Sequence, residues 1–229
     1  MNADAPSYTG AMARFAEGIR AFRQKEYRGD RALMQQLQQG QKPELLLIGC
    51  CDSRVDFSLL AGAELGEVFI VRNIANLVPP FDYGGGVGQG VRAAIEYGVK
   101  MLQVSHIVVF GHAHCGGIKA AIETAAGEAP ASDFIGSWLT LAQDACVQEL
   151  ADSSGKRHQL PVSMLKEYSY LVERASVLNS LVNLRGYPWV AERVAAGTLT
   201  LHGWWFDLQT GDLWVTAPNG NEFMPLDFD

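Results

Sequence analysis

Apolar residues near the start of the chain recur at three- and four-residue steps. Met12, Phe15, Ile19 and Phe22 fall on one stripe of an otherwise polar segment, a spacing that predicts an amphipathic helix. Gly29-Asp30 interrupts that pattern, Asp30 is placed to cap a second helix over Arg31–Gln39, and Pro43 closes it. Beyond that the pattern changes. Leu45-Leu46-Leu47-Ile48, Val68-Phe69-Ile70-Val71 and Ile107-Val108-Val109-Phe110 are short and wholly apolar. Runs apolar on both faces read as strands covered on both sides, as in parallel sheets. A helical segment, Gly90–Leu102, separates the second and third runs. This alternation predicts an α/β fold: a central, mostly parallel β-sheet flanked by helices, preceded by an N-terminal helical arm.

Further along, Pro161–Leu184 reads as one long helix with Leu165, Tyr168, Leu171 and Val172 on one face. Thr198–Phe206 and Leu213–Thr216 read as strands around a turn at Thr210-Gly211-Asp212. The glycine-rich stretch Gly84–Gly90 lacks the G-x-G-x-x-G spacing and follows a proline-rich loop instead of a strand. It reads as a turn into the next helix, not a phosphate cradle.

Composition narrows the choice of partners. The chain has 229 residues, 48% of them hydrophobic, enough for one domain with a real core. The reading divides it at 1–40, 41–217 and 218–229. The formal net charge is -7 with no dense Lys/Arg run, so no nucleic-acid partner is expected. No apolar run approaches the ~20 residues that span a bilayer, so no membrane association is expected. The first ten residues show no charged-then-apolar leader pattern. With four cysteines (Cys50, Cys51, Cys115 and Cys146) a reducing, cytoplasmic setting is expected, where thiols serve as ligands, nucleophiles or core residues.

Two polar clusters stand at the ends of predicted strands. Cys50-Cys51-Asp52-Ser53-Arg54 follows the first, and His112-Ala113-His114-Cys115-Gly116-Gly117 follows the third. Ligands of open α/β sheets bind beyond the carboxyl ends of strands. Thiolate and imidazole are the donors that zinc prefers, and a catalytic zinc keeps one position for water. Either cluster alone is a weak signal; at the ends of separate strands, beside an Asp-x-Arg pair, they are strong.

C-x-D-S-R followed by G-H-x-x-C-G-G resembles the β-class carbonic anhydrases. Val71-Arg72-Asn73-Ile74-Ala75-Asn76-Leu77-Val78-Pro79-Pro80, Ala94-Ile95-Glu96-Tyr97 and Leu201-His202-Gly203-Trp204 are similar to family segments, most closely in the plant-type branch. The resemblance spans about residues 10–217. It implies zinc-dependent, reversible hydration of carbon dioxide to bicarbonate and a proton, with one zinc ion per chain on Cys50, His112 and Cys115. Asp52 and Arg54 match the catalytic dyad. Gln41, Phe69, Ile74, Tyr97 and Gly116 match the substrate pocket, part of which a neighbouring subunit supplies. A homodimer, or a tetramer built as a dimer of dimers, follows, with 1–40 as its dimerisation arm. Cys51 and His114 fill variable slots. Cys146 reads as a core or surface thiol, His106 as the start of a strand and His158 as part of a polar loop.

Zinc lowers the pKa of bound water from ~15.7 to about 7 in favourable sites, and two thiolates make that water less acidic than three histidines would. Activity is therefore expected to rise toward alkaline pH. A bicarbonate-inhibited branch of the family carries Trp three residues before its first zinc cysteine. Leu47 stands there in this chain, which implies no such inhibition and no capture of zinc by Asp52 near neutral pH. Met101 stands where some plant members place a histidine, so proton release is expected to depend on buffer. Two alternatives remain open on the same residues: hydrolysis of carbon disulfide or carbonyl sulfide, and a non-catalytic structural zinc site.

Overall fold

The computed structural model describes residues 8–29, 31–82, 88–128, 133–218, 220 and 222–227. The expected cap at Asp30 and most of the glycine-rich stretch, Gly84–Val87, lie outside them. The chain forms two units, 1–41 and 42–229. In the first, α1 spans Gly10–Arg28 and α2 spans Ala32–Leu37. The periodicity locates the first helix and the break at Gly29-Asp30 the second, which is a little shorter than expected. No residue of α1 is buried: Phe15 is 54% exposed and Ile19 is 70% exposed.

The second unit is built on a six-stranded sheet of order β2-β1-β3-β6-β7-β8. Its strands are β1 Leu45–Cys50, β2 Val68–Asn73, β3 His106–His112, β6 Thr200–Phe206, β7 Leu213–Thr216 and β8 Phe223–Pro225. The first four in that order run parallel, and β7 and β8 run antiparallel to their neighbours. β8 draws part of the 218–229 segment into the sheet. A separate hairpin pairs β4, Glu149–Ala151, with β5, Arg157–Gln159, and holds His158.

Each of the three apolar runs is a strand, and their side chains feed two core layers. Leu47, Val108 and Phe110 face one layer, with Phe57, Ile118, Leu139 and Leu165. Leu46, Ile48, Ile107 and Val109 face the other, with Ile95, Val177, Leu181 and Leu184. Burial of each Leu or Ile contributes roughly 1.5–3 kcal/mol, which holds the parallel register. The helices supplying these residues are α3 Phe57–Ala61, α4 Gln89–Glu96, α5 Gly116–Ala125, α6 Ile135–Leu139, α7 Val162–Glu167 and α8 Ser169–Arg185, and α9 Pro188–Ala195 adds Val190 to the second layer. α4 runs on into a widened helical turn, Tyr97–Met101.

The long helix expected over Pro161–Leu184 is two helices. Tyr168 leaves helical geometry (φ -111°, ψ 52°), so α7 packs against α5 while α8 lies across β3 and β6. Side-chain periodicity survives such a break, because Leu165 and Val172 reach the same core layer from either side of it.

The chain passes from β1 to β2 on one side and then to β3 on the other. The carboxyl edge of β1 is therefore a topological switch point, where such sheets leave a crevice. α8 seats closely on the sheet because Gly111 and Gly203 have no side chain. A Cβ at 203 would lie 2.6 Å from Thr216 Cγ2, 2.9 Å from Val177 Cγ1 and 3.0 Å from Leu181 Cδ1. Gly203→Ala is expected to cost about 1–3 kcal/mol by overpacking, read in thermal unfolding as a fall of roughly 2–4 °C per kcal/mol. An unchanged midpoint would mean that α8 is not seated on the sheet there.

Candidate metal centre

Cys50 ends β1 and pairs with Asn73, the last residue of β2. Where β1 stops, its carbonyls need new partners, and Arg72 supplies them. Its Nε donates to Cys50 O at 2.7 Å, and its Nη2 donates to Asp52 O and Val55 O, each at 2.7 Å. Nη1 reaches Asp56 Oδ2 at 3.4 Å. Asp56 also caps α3 by accepting the Leu59 N–H. A single guanidinium thus shapes the loop 50–56.

The turn after β2 is strained. Ala75 (φ 64°) and Asn76 (φ 50°) are consecutive non-glycine residues in the left-handed region, at roughly 1–3 kcal/mol each. Asn73 holds them there: its Oδ1 accepts the Leu77 N–H at 2.9 Å and its Nδ2 donates to Leu77 O at 3.0 Å. Trp138 Nε1 donates to Ile74 O at 2.8 Å. The turn presses on the start of α5, where a Cβ on Gly117 would come within 2.7 Å of Ile74 Cγ2 and 2.9 Å of Ala75 Cβ.

Between these loops Cys50, His112 and Cys115 converge. All three are buried, and their ligand atoms lie within 4.8 Å of one another. The two sulfurs are 3.8 Å apart. Two thiolates this close repel, so the pair titrates as one unit. Cys50 is the member pulled down, first by the hydrogen bond from Cys115, against the opposing effect of burial, with His112 and the Asp52 and Ala75 amides adding to it, while the same contact pushes Cys115 up. A divalent cation lets both ionise.

His112 completes the fit. Its Nδ1 shares a 2.9 Å hydrogen bond with Ala113 O. A carbonyl only accepts, so Nδ1 carries the proton and Nε2 has a free lone pair. Nε2 is buried without a hydrogen-bond partner among the described residues. An orphan of that kind costs about 1–3 kcal/mol unless something binds it. Two thiols and an unpartnered imidazole nitrogen suit zinc. The group holds three side chains among the described residues, one fewer than a closed structural site uses.

Asp52 stands beside this group, gripped by Arg54. Arg54 N and Nε donate to Oδ1, each at 2.9 Å, and Nη2 donates to Oδ2 at 2.6 Å. These bonds hold the Asp52 carboxyl far below the usual carboxylate range. Arg54 Nη2 also donates to His114 O at 2.9 Å, tying the loop after β1 to the loop after β3. His114 is left-handed (φ 56°) in that contact.

The pocket residues are dispersed. Gly116 opens α5, and a Cβ built there meets nothing within 4 Å, so the space before it is clear. Ile74 flanks Gly117. Phe69 and Tyr97 stack with ring centroids 5.7 Å apart. Phe69 precedes Asn73 by four residues of β2, about 13 Å of strand, so this aromatic pair does not join the metal group of its own chain. Gln41 belongs to the N-terminal unit. Cys51 is exposed and outside the group. Cys146 is a core thiol pushed up to about 11 by burial. Sequence reasoning passed over three residues that build the site, Arg72, Asn73 and Glu173. The first two sit in the quoted V-R-N-I-A-N segment, where an Arg-Asn pair at a strand end was the available signal. Glu173 lies 58 residues from its partner Cys115 and left none.

Comparison with known proteins agrees with this geometry. The family described as carbonic anhydrase matches residues 45–213. A carbonic anhydrase of Synechococcus elongatus is 35% identical over 202 residues, covering 88% of this chain and 70% of the relative. Among solved structures, the β-carbonic anhydrase CcaA superposes with a TM-score of 0.75 at 30% identity, over 94% of this chain and 92% of that one. A β-carbonic anhydrase of Sordaria macrospora, described as tetrameric, superposes with a TM-score of 0.65 at 28% identity, over 89% of this chain and 92% of that one. With two cysteines and a histidine converging at the switch point of the same fold, the chain belongs to the β-class carbonic anhydrases, zinc enzymes that hydrate carbon dioxide.

Proposed function

We propose that Cys50, His112 and Cys115 hold the zinc ion and that Asp52 and Arg54 are the catalytic pair. We further propose that Gln41, Phe69, Ile74, Tyr97 and Gly116 bind carbon dioxide and bicarbonate. The observation that carries this reading is a three-residue donor set with an ionised, fixed carboxylate beside it. Bound zinc supplies a water acidified to near neutral pH. Asp52 Oδ1 takes two bonds from Arg54 and Oδ2 takes one, so Oδ2 keeps an acceptor site for the attacking oxygen's hydrogen. Accepting it turns that oxygen's lone pair toward the substrate carbon. Arg54 keeps Asp52 ionised across the working pH range, so the carboxylate never competes as a proton donor there. The Gly116 amide, in the first turn of α5, has no partner within its helix and suits a bicarbonate oxygen. Purified zinc-loaded protein should hydrate carbon dioxide in stopped-flow assays at rates rising from pH 7 to 9. Cys50→Ala should abolish the rate; no hydration above buffer in protein holding one zinc per chain would overturn the reading.

Bicarbonate inhibition is not expected. The cavity behind Cys50, lined by Leu47, Gly49, Val55, Ile70, Arg72 and Phe110 among others, measures about 20 Å³, room for about one water. Arg72, its cation, is occupied by three carbonyls. Hydration rates measured at rising bicarbonate should show only ordinary product inhibition. A steep, cooperative loss of activity, or a structure at neutral pH with Asp52 on the metal, would sink this.

The proposed assembly is a dimer or a dimer of dimers, with 1–40 as its arm, 41–217 as the catalytic core and 218–229 as a tail. The Met12, Phe15, Ile19 and Phe22 stripe is exposed, and the Phe69–Tyr97 pair stands away from its own metal group. Both features fit a second copy that covers the stripe and receives the aromatic pair. Ile19→Glu together with Phe15→Glu should move the protein to monomer in sedimentation and lower activity with zinc retained. An unchanged sedimentation coefficient would exclude the arm from the interface. The four free thiols support a cytoplasmic setting. Among the described residues no helix is long and apolar enough to cross a membrane.

A further inference from the structure

Helix α8 carries a carboxylate in the core. Glu173 is 3% exposed, among apolar neighbours such as Val172 and Val177. Burying a carboxylate costs stability unless every oxygen is satisfied, and three donors meet this one. Oε1 accepts the Cys115 N–H at 3.3 Å and the Ser169 hydroxyl at 3.1 Å, and Oε2 accepts Trp205 Nε1–H at 3.2 Å. All three partners donate, the pattern that suits an ionised carboxylate. Among the described residues Glu173 forms no ion pair. The adjacent Arg174 stacks between two indoles instead, 4.2 Å over Trp205 and 4.1 Å over Trp214.

The contact to Cys115 answers a local need. Cys115 is the N-cap of α5. In a capping box the amide of the N-cap residue is satisfied by Glu or Gln at the third helical position. That position here is Ile118, which cannot accept. Glu173 supplies the missing acceptor from another helix, 58 residues away. Through Trp205 it ties the same amide to β6, the strand that pairs with the whole length of β3, His112 included. His112, which ends β3, and Cys115, in the loop after it, are thereby referenced to one rigid frame.

We propose that Glu173 is a positioning residue of the metal centre: by holding the Cys115 amide it keeps Cys115 at the distance from Cys50 and His112 that zinc requires. This rests on the assignment of Cys50, His112 and Cys115 as ligands. A carboxylate one shell out from a metal ligand typically sets 10–100-fold in metal affinity.

The test is Glu173→Gln in the whole 229-residue chain. Glutamine keeps the volume, but its amide nitrogen must face either the Trp205 N–H or the Cys115 N–H, donor against donor. Three quantities are measured beside wild type: zinc affinity by chelator competition, the visible spectrum of the cobalt-substituted protein, and the unfolding midpoint of the zinc-free chain. The expected result is a 10–100-fold loss of zinc affinity and a shifted cobalt spectrum, larger than any change in the zinc-free midpoint accounts for. Wild-type affinity and spectrum in the variant would overturn the proposal. So would a fall in the zinc-free midpoint with the cobalt spectrum unchanged, which marks a merely structural role. Ser169→Ala, which removes one donor and leaves the volume nearly intact, covers the case in which the glutamine variant does not fold. It should lower zinc affinity by about 3-fold or more, and an unchanged affinity overturns the proposal. Failure of the wild type itself to bind one zinc per chain would instead overturn the ligand assignment.

Discussion

Two sulfurs 3.8 Å apart in a buried site impose a demand that the surrounding structure is arranged to meet. Singly ionised, they share one proton across a hydrogen bond; as two thiolates they repel; only a cation between them lets both ionise. Bringing them so close needs rigid supports, because flexible loops would relax apart. The supports are the ends of β1 and β3, adjacent parallel strands whose apolar side chains are buried on both faces. The switch point at β1 leaves a crevice there, and both polar clusters fall into it.

The loops leaving those strands are held by side chains from elsewhere. Arg72 gathers the carbonyls of 50, 52 and 55, Asn73 clasps the left-handed turn at Ala75 and Asn76, and Arg54 bridges Asp52 to His114 O. Each satisfies backbone or carboxylate groups that end-of-strand geometry leaves unpaired. The strain at Ala75 and Asn76 persists because Trp138, Asn73 and the side-chain-free face of Gly117 leave the turn no other place. Local strain and an orphaned imidazole nitrogen coincide beside the group of side chains suited to a metal, as is common where function outweighs stability.

Much of this was legible in the sequence. The three apolar runs at 45–48, 68–71 and 107–110 read as strands, and the clusters at 50–54 and 112–117 follow the first and third of them; β1 and β3 are covered on both faces, whereas β2 lies at the sheet edge and leaves Ile70 exposed. Donor type and that placement pointed to a metal site with one sulfur from the first cluster, and the family resemblance singled out Cys50 beside His112 and Cys115. The pairing of Asp52 with Arg54 was also local, two residues apart, and the structure shows it. Periodicity was less reliable where helices end: the break at Tyr168 left the spacing of Leu165 and Val172 intact, so two helices read as one.

By itself, then, the sequence determined strand identity, the candidate donor types and the Asp52–Arg54 contact, because these depend on alternation, residue chemistry and short spacing. Tertiary structure alone decided what depends on long-range approach. It put the Glu173 carboxylate on the Cys115 amide across 58 residues. It folded Arg72 over the end of a neighbouring strand and set α8 on the bare faces of Gly111 and Gly203. It also placed Phe69 with Tyr97, away from the metal group of their own chain. No pattern along the chain encodes such contacts, since a buried hydrogen bond or a missing Cβ acquires its meaning from the atom that packing brings against it.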